Sequence, residues 1–491
     1  MHKTGSLFIV SILFLFLPMP SSGQKVDPAC LKMIASRPLC GTPHAVMGVC
    51  SYLPPEVKTQ AGYGDFACVT QAPFDFFSWQ NFVSLNWPAD PKGQPCDVKG
   101  PNCPYTSITT APDITPRVWD YYKSKEDLIP SLKKAPNPDF HGPPEPPPAP
   151  CGGPKMRNGM PVRVIRMMSK ADDDALSDFG QPGTNLPLID RSLNYVLYEV
   201  RVNDVYYNYV INNKLYLKSV QEKMAVNFPP GAVEVKAGWR LLDPNNKAEM
   251  AKYFTRNFDV YVSKDHSQNG QAFCVQDATL GLVAMHIVHK TAAHPQWIWS
   301  SFEQADNAPQ GQGTACAAPS GSGQFTFYDP TCTSGGKPCQ PNQPPPGTKY
   351  TWAPNPPYAR NFATGGKYGT QVVRCLPIEL SAPPTNTRWR ENSPLKGTVW
   401  AKYELLGSQW AFKPDNPKPP PPDKTCMALG TNKLSCGPMD ELNSVQETYL
   451  QSKVSQSDGT NLNNGCIQCH VLATDAAKKS SDFSFQLSRA K

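Results

Sequence analysis

Leu280-Gly281-Leu282-Val283-Ala284-Met285-His286-Ile287-Val288-His289-Lys290-Thr291 is an apolar run with two histidines set into it. Its β-branched content places a strand within 272–290. Working outward, Pro161 to Met168, Asn194 to Val202, Ala232 to Leu241 and Phe258 to Ser263 read as further strands. Asn203-Asp204 offers a turn into Val205–Ile211, which predicts a hairpin. Gln371 to Leu376, stopped by Pro377, and Thr398 to Leu406 extend the strand set. Helical spacing is confined to the flanks. Pro73 to Trp87 places aromatics three and four apart and predicts a buried amphipathic helix stopped by Pro88. Shorter helices are expected over Arg117–Lys125 and Glu441–Leu450. The predicted class is α+β: a β-rich core, antiparallel sheet or sandwich, with Pro-rich loops, disulfides and a short helical C-terminal segment.

His286 sits in apolar surroundings, so its imidazole must find a partner there. It is read either as a metal ligand or as a core histidine bonded to backbone. His286, His289 and His294 together also admit a three-histidine copper or zinc site. The aromatic sets at 73–87 and 117–125 admit core packing or the lining of a cofactor.

At 491 residues the chain can bury a sizeable core. Its 54 prolines and 18% charged residues indicate many irregular loops, while 40% apolar residues and ten tryptophans argue for a packed body. The formal charge of +7 comes without a dense basic stripe, so nucleic acid is not an expected partner. Asp172-Asp173-Asp174 with Asp178 lacks the turn glycine and terminal glutamate of an EF-hand and reads as a solvated acidic loop. There is no P-loop, nucleotide glycine fingerprint, His-Glu-x-x-His or Gly-x-Ser-x-Gly, which argues against the common hydrolases and kinases.

Residues 1–23 read as a cleaved secretory signal: His2 and Lys3, an apolar run from Leu7 to Leu17, then Ser21-Ser22-Gly23. No later stretch approaches a membrane span, so no transmembrane anchor is expected. The remaining organisation reads as a Cys-rich, partly helical region 24–134, a Pro-rich linker 135–154, a β-rich domain 155–417 and a C-terminal segment 418–491. In an oxidising compartment, fourteen of the sixteen cysteines form a disulfide framework, with Cys96–Cys103, Cys332–Cys339 and Cys426–Cys436 as candidate local loops.

The other two cysteines lie in Cys466-Ile467-Gln468-Cys469-His470, a Cys-x-x-Cys-His pattern. Two thiols at this spacing suit thioether bonds to the two vinyl groups of one porphyrin, and the adjacent histidine suits the proximal side of the iron. A zinc ribbon would need a second close Cys or His pair, and Cys426 and Cys436 are ten apart. A thioredoxin-type dithiol belongs between a strand and a helix, whereas this motif follows the polar run Ser455 to Asn461. One covalent haem c is therefore expected, held by Cys466, Cys469 and His470. Only 21 residues follow His470 and none is Met, so a sixth ligand either comes from upstream, from His286, His289 or Met439, or is absent.

Through Cys466, Cys469 and His470 the chain resembles the c-type cytochromes. Through Phe77-Ser78-Trp79-Gln80 to Trp87, Met285 to Thr291 with Trp297 to Phe302, and Asp482-Phe483-Ser484-Phe485, it is similar to large bacterial cytochrome c-family proteins. That resemblance implies a periplasmic location. Electron transfer with a periplasmic or membrane-bound redox partner is the expected function; Lys478, Lys479, Arg489 and Lys491 could attract an acidic partner, but read first as an ordinary solvated tail. Two alternatives stand beside it: a peroxidase- or oxygenase-like haem enzyme with an open distal site, and a haem-based sensor or binding protein.

Overall fold

The computed structural model describes residues 49–57, 71–130, 134–157, 159–167, 180–181, 184–312, 316–345, 350–360, 369–379, 382–411, 436–437, 441–451 and 465–490. The signal segment, the acidic loop at 172–178, Cys426 and Met439 lie outside these residues.

The fold is mixed α+β around an antiparallel sheet. Its principal elements are α1 (Ala72–Leu85), β1 (Val164–Met167), β2 (Leu197–Val202), α2 (Asp204–Asn212), β3 (Val233–Leu241), β4 (Thr255–Val262), β5 (Phe273–His289), β6 (Ile298–Gln304), α3 (Ala382–Glu391), β7 (Tyr403–Ala411) and α4 (Cys466–His470). The strands run β2-β3-β5-β6-β7, with the short segments Lys123–Ser124 and Cys436–Gly437 at the two ends. β5 is long enough to serve three neighbours. One edge pairs with β3, while the other takes β4 on its first half and β6 on its second. The β1–β4 pair is parallel, and the other strand pairs of the sheet are antiparallel.

Period-two alternation gives the sheet two different faces. Val233, Val235, Ala237, Met285, Ile287, Phe302 and Leu405 share one core with Trp79 and Phe82 of α1. Trp79 stacks on Trp389 of α3 at 5.7 Å, and its indole N–H donates to Asn386 Oδ1 at 2.9 Å. Burying a side chain of this size stabilises the fold by about 1.5–3 kcal/mol.

α1 differs from the expected amphipathic helix because it is buried on its polar side as well. Ser78 Oγ lies 2.6 Å from both Ser300 Oγ and Ser408 Oγ on the sheet, and Gln80 donates to the Cys50 and Tyr52 carbonyls. The polar residues thus face protein partners instead of water.

The hairpin expected at Asn203-Asp204 is not formed. Asn203 accepts from Tyr206 N–H and caps α2, whose Tyr206, Tyr207 and Val210 are buried at helical spacing. Gln371–Leu376 forms no strand beyond an isolated bridge from Arg374 to Gln310, and the helix expected at 441–450 is reduced to Thr448–Gln451. The region expected to be helical at 117–125 is a 3₁₀ turn, Val118–Tyr121, leading into the short strand.

The Pro-rich stretch 135–154 packs closely on the body. Phe140 lies against Tyr207, Glu145 N–H reaches Asp127 Oδ1, and Arg166 Nη2 donates to the Pro146 carbonyl at 3.0 Å. Cys151–Cys274 ties its end to the start of β5. Cys96–Cys103 and Cys332–Cys339 form two of the three local loops expected, and Cys316–Cys375 adds a longer one. The third, Cys426–Cys436, involves Cys426, which lies outside the described residues. No helix among the described residues is long and apolar enough to cross a membrane.

Candidate functional site

The second face of the sheet is arranged in rows set by strand register. Glu234, Val288, Trp299 and Gln409 form one row across β3, β5, β6 and β7; Lys236, His286, Ser301 and Gly407 form the next. These residues alternate with the core residues of the opposite face, so the same pattern that buries Val235 and Ile287 presents Lys236 and His286 here. Two C-terminal stretches cover the face. Residues 441–451 lie over the second row: Asn443 Nδ2 donates to Ser301 Oγ at 3.2 Å, and Glu447 Oε2 is 3.5 Å from His286 Nε2. Residues 465–490 cover the first row.

α4 carries the Cys-x-x-Cys-His pattern onto that row. Ile467 inside the motif is fully buried, and its N–H donates to Gln409 Oε1 at 2.6 Å. This anchor satisfies one of the amides that a helix start leaves unpaired. Cys466 and Cys469 are free thiols, half-buried, whereas every other cysteine whose side chain is described is in a disulfide. Burial raises both thiols, and the nearby Glu441 and Glu447 push Cys466 further in the same direction. Both thiols are therefore held toward the protonated, less nucleophilic form.

His470 is oriented by protein on three sides. Its ring lies 4.4 Å from Trp299 and 4.9 Å from Phe485, and its Nδ1 is 2.7 Å from the Phe483 carbonyl oxygen. A carbonyl can only accept, so Nδ1 carries the hydrogen and Nε2 presents a lone pair. Burial lowers the imidazole to about 4, keeping it neutral. A neutral histidine with Nδ1–H bonded to backbone and Nε2 open is the state in which histidine ligates a metal. The crevice beside the ring, lined by Glu234, Val288, Trp297, Trp299, Phe483 and Ser484, is narrow and partly open to solvent, with only about 10 Å³ of internal volume. Ligand pockets commonly run to about 300–1,000 Å³, so a porphyrin attached to this motif would lie mostly outside the crevice.

No protein-family model matches the chain, and no curated protein or solved structure matches it either.

The three upstream histidines diverge. His286 faces the C-terminal segment, and its Nε2 has no hydrogen bond among the described residues. Burial holds its imidazole well below its ordinary value, and Lys236 and His470 add to the effect. His289 projects to the opposite face, where its Nδ1 lies 2.8 Å from Asn81 Oδ1 and its ring packs on Phe77 of α1. His294 Nδ1 meets Glu56 Oε1 at 2.9 Å and helps fasten segment 49–57. A shared three-histidine metal site is thereby excluded, and no group of three or more His, Cys, Asp or Glu among the described residues is placed to hold a metal ion directly. One histidine with two thiols beside it matches instead the donor set that a covalently attached haem requires.

Of the basic tail, Lys479 is committed to the Gln221 and Met224 carbonyls at 2.9 Å each, and Lys478 is exposed. Glu234, Gln409, Glu447 and the Phe483 carbonyl escape a sequence reading as site components. Only Glu234 leaves a signal: with Lys236 and Arg240 it is one of three charges at even-numbered positions of a strand whose other residues are apolar.

Proposed function

We propose that the protein is an exported, periplasmic mono-haem c-type cytochrome that transfers electrons to or from a redox partner. The observation that carries this reading is the state of the motif: Cys466 and Cys469 stay out of disulfides, and His470 is locked with Nε2 free. The sulfurs of Cys466 and Cys469 would each add across a vinyl group, the S–H hydrogen passing to the second vinyl carbon, and His470 Nε2 would ligate the iron. Haem supplies a one-electron iron couple that no side chain here provides. The chain's own contribution is to fix the imidazole plane between Trp299 and Phe485, hold its hydrogen on Nδ1 and keep the surroundings largely dry.

His286 is our candidate sixth ligand. It shares the face, is neutral, and lacks a hydrogen bond at Nε2. A six-coordinate iron favours electron transfer over the peroxidase-like alternative, which needs an open position. Haem staining of a denaturing gel tests attachment: signal retained in the wild type and lost in Cys466→Ala/Cys469→Ala is expected, and an unstained wild type overturns the reading. Absorption spectra with and without carbon monoxide test the function. A low-spin spectrum unchanged by carbon monoxide is expected for a carrier, and a large change would favour the enzyme.

A further inference from the structure

Asp482 and Phe483 are consecutive non-glycine residues with left-handed backbones, φ 52° and 69°. Each such residue costs about 1–2 kcal/mol for an L side chain, so the turn persists only where its surroundings hold it. The contacts to Asp482 come from the β5–β6 connection and from the stretch before β3. Asp482 Oδ2 accepts from Lys290 Nζ at 2.6 Å and from Phe228 N–H at 2.7 Å, and the Asp482 carbonyl accepts the Trp297 indole N–H at 3.1 Å. Lys290 follows β5 and Trp297 precedes β6, so the β5–β6 connection grips the turn from both ends. Lys290 is buried, its ammonium also donating to Asn227 Oδ1 at 2.7 Å. A buried ion pair is a costly way to anchor a surface turn. This one fixes Asp482, the neighbour of Phe483, whose carbonyl reaches His470.

We propose that Lys290 and Asp482 are positioning residues for the proximal ligand. Their ion pair holds the left-handed turn that aims the Phe483 carbonyl at His470 Nδ1, and so sets the electron donation of His470 to iron, although neither residue touches the haem. The inference rests on the haem reading above. A shorter Nδ1–H···O bond gives the imidazole more anionic character and favours the oxidised iron; a loosened turn shifts the couple toward reduction.

The experiment is redox titration of the full-length, haem-loaded protein as wild type, Lys290→Met, Lys290→Arg and Asp482→Asn. Lys290→Met and Asp482→Asn are expected to raise the midpoint potential, with about a tenfold change in the redox equilibrium, 59 mV for one electron. Lys290→Arg, which keeps the ion pair, should return most of it. Haem-loaded variants with wild-type potentials overturn the proposal while leaving attachment intact, whereas a wild type without haem defeats the earlier reading instead. If Met and Asn variants do not accumulate, hydrogen exchange of the wild-type His470 Nδ1–H decides: slow exchange is expected, and exchange at the rate of an exposed imidazole overturns the proposal.

Discussion

His286 and His289 lie on the same strand, three residues apart, and point to opposite faces of the sheet. His286 faces the Cys-x-x-Cys-His segment and Glu447, whereas His289 meets Asn81 of α1. Substitution should separate their roles. His286→Ala is expected to change the iron spectrum and open the haem to carbon monoxide, with little loss of stability. His289→Ala should leave the spectrum alone and destabilise by about 1–3 kcal/mol, because Asn81 loses a buried partner. Absorption spectra and urea denaturation of the two variants make the comparison; an unchanged spectrum in His286→Ala removes it as a ligand.

His289 also predicts a pH dependence. Burial lowers its imidazole to about 4, against roughly 6.5 when unfolded. Between those values the unfolded chain binds the proton and the folded one does not, so this contribution is fully present above about 6.5 and is lost as pH falls toward 4. The difference corresponds to about 3 kcal/mol by linkage. Denaturation midpoints from pH 7 to pH 4 should fall in the wild type and fall less in His289→Gln. Equal slopes in the two proteins would show that other groups govern acid unfolding.

Much of the sheet was legible because its strands keep β-branched residues in register with burial: 194–202, 232–241 and 272–290 contain β2, β3 and β5. β6 carries no clear strand signal. It is Ile-Trp-Ser-Ser-Phe-Glu-Gln, buried on both faces, with Ser300 and Ser301 serving as hydrogen-bond partners for α1 and Asn443, so the polar residues mask the pattern. Asn203-Asp204 misled for a different reason: the residues that favour a hairpin turn also favour a helix start, and Tyr206, Tyr207 and Val210 decide for the helix through burial. At the site, Cys466, Cys469 and His470 are adjacent in sequence and declare themselves. Gln409, Glu447 and the Phe483 carbonyl reach the motif through tertiary contacts that no local spacing encodes.

Cys151–Cys274 closes the longest loop among the described disulfides, with a separation of 123 residues. It fixes the end of the Pro-rich stretch to β5, where few regular backbone hydrogen bonds hold that stretch. Replacing both cysteines with Ala should lower unfolding free energy by about 2–4 kcal/mol, chiefly by releasing the unfolded chain. Opening Cys96–Cys103, a separation of seven, should cost less. Guanidinium titrations of the two double variants compare them, and a larger effect at Cys96–Cys103 would contradict this ranking.

Gln409 is the contact through which β7 holds the start of α4. Its Oε1 accepts the Ile467 N–H at 2.6 Å, and Ile467 is packed with Trp299 and Leu487 beneath the motif. Gln409→Leu keeps the volume but removes the acceptor, leaving a buried N–H unpaired at a cost of about 1–3 kcal/mol. Because the helix is a single turn, it has no internal bond to offer that amide. The loss should therefore appear as local opening of 465–490 before the sheet unfolds. Amide exchange at Ile467 is expected to accelerate at least tenfold in Gln409→Leu while the β3 and β5 amides keep their protection. Gln409→Glu, which preserves an acceptor at this position, should stay nearer to the wild type. Uniform acceleration across the sheet would mean that Gln409 supports the whole fold and not the motif in particular.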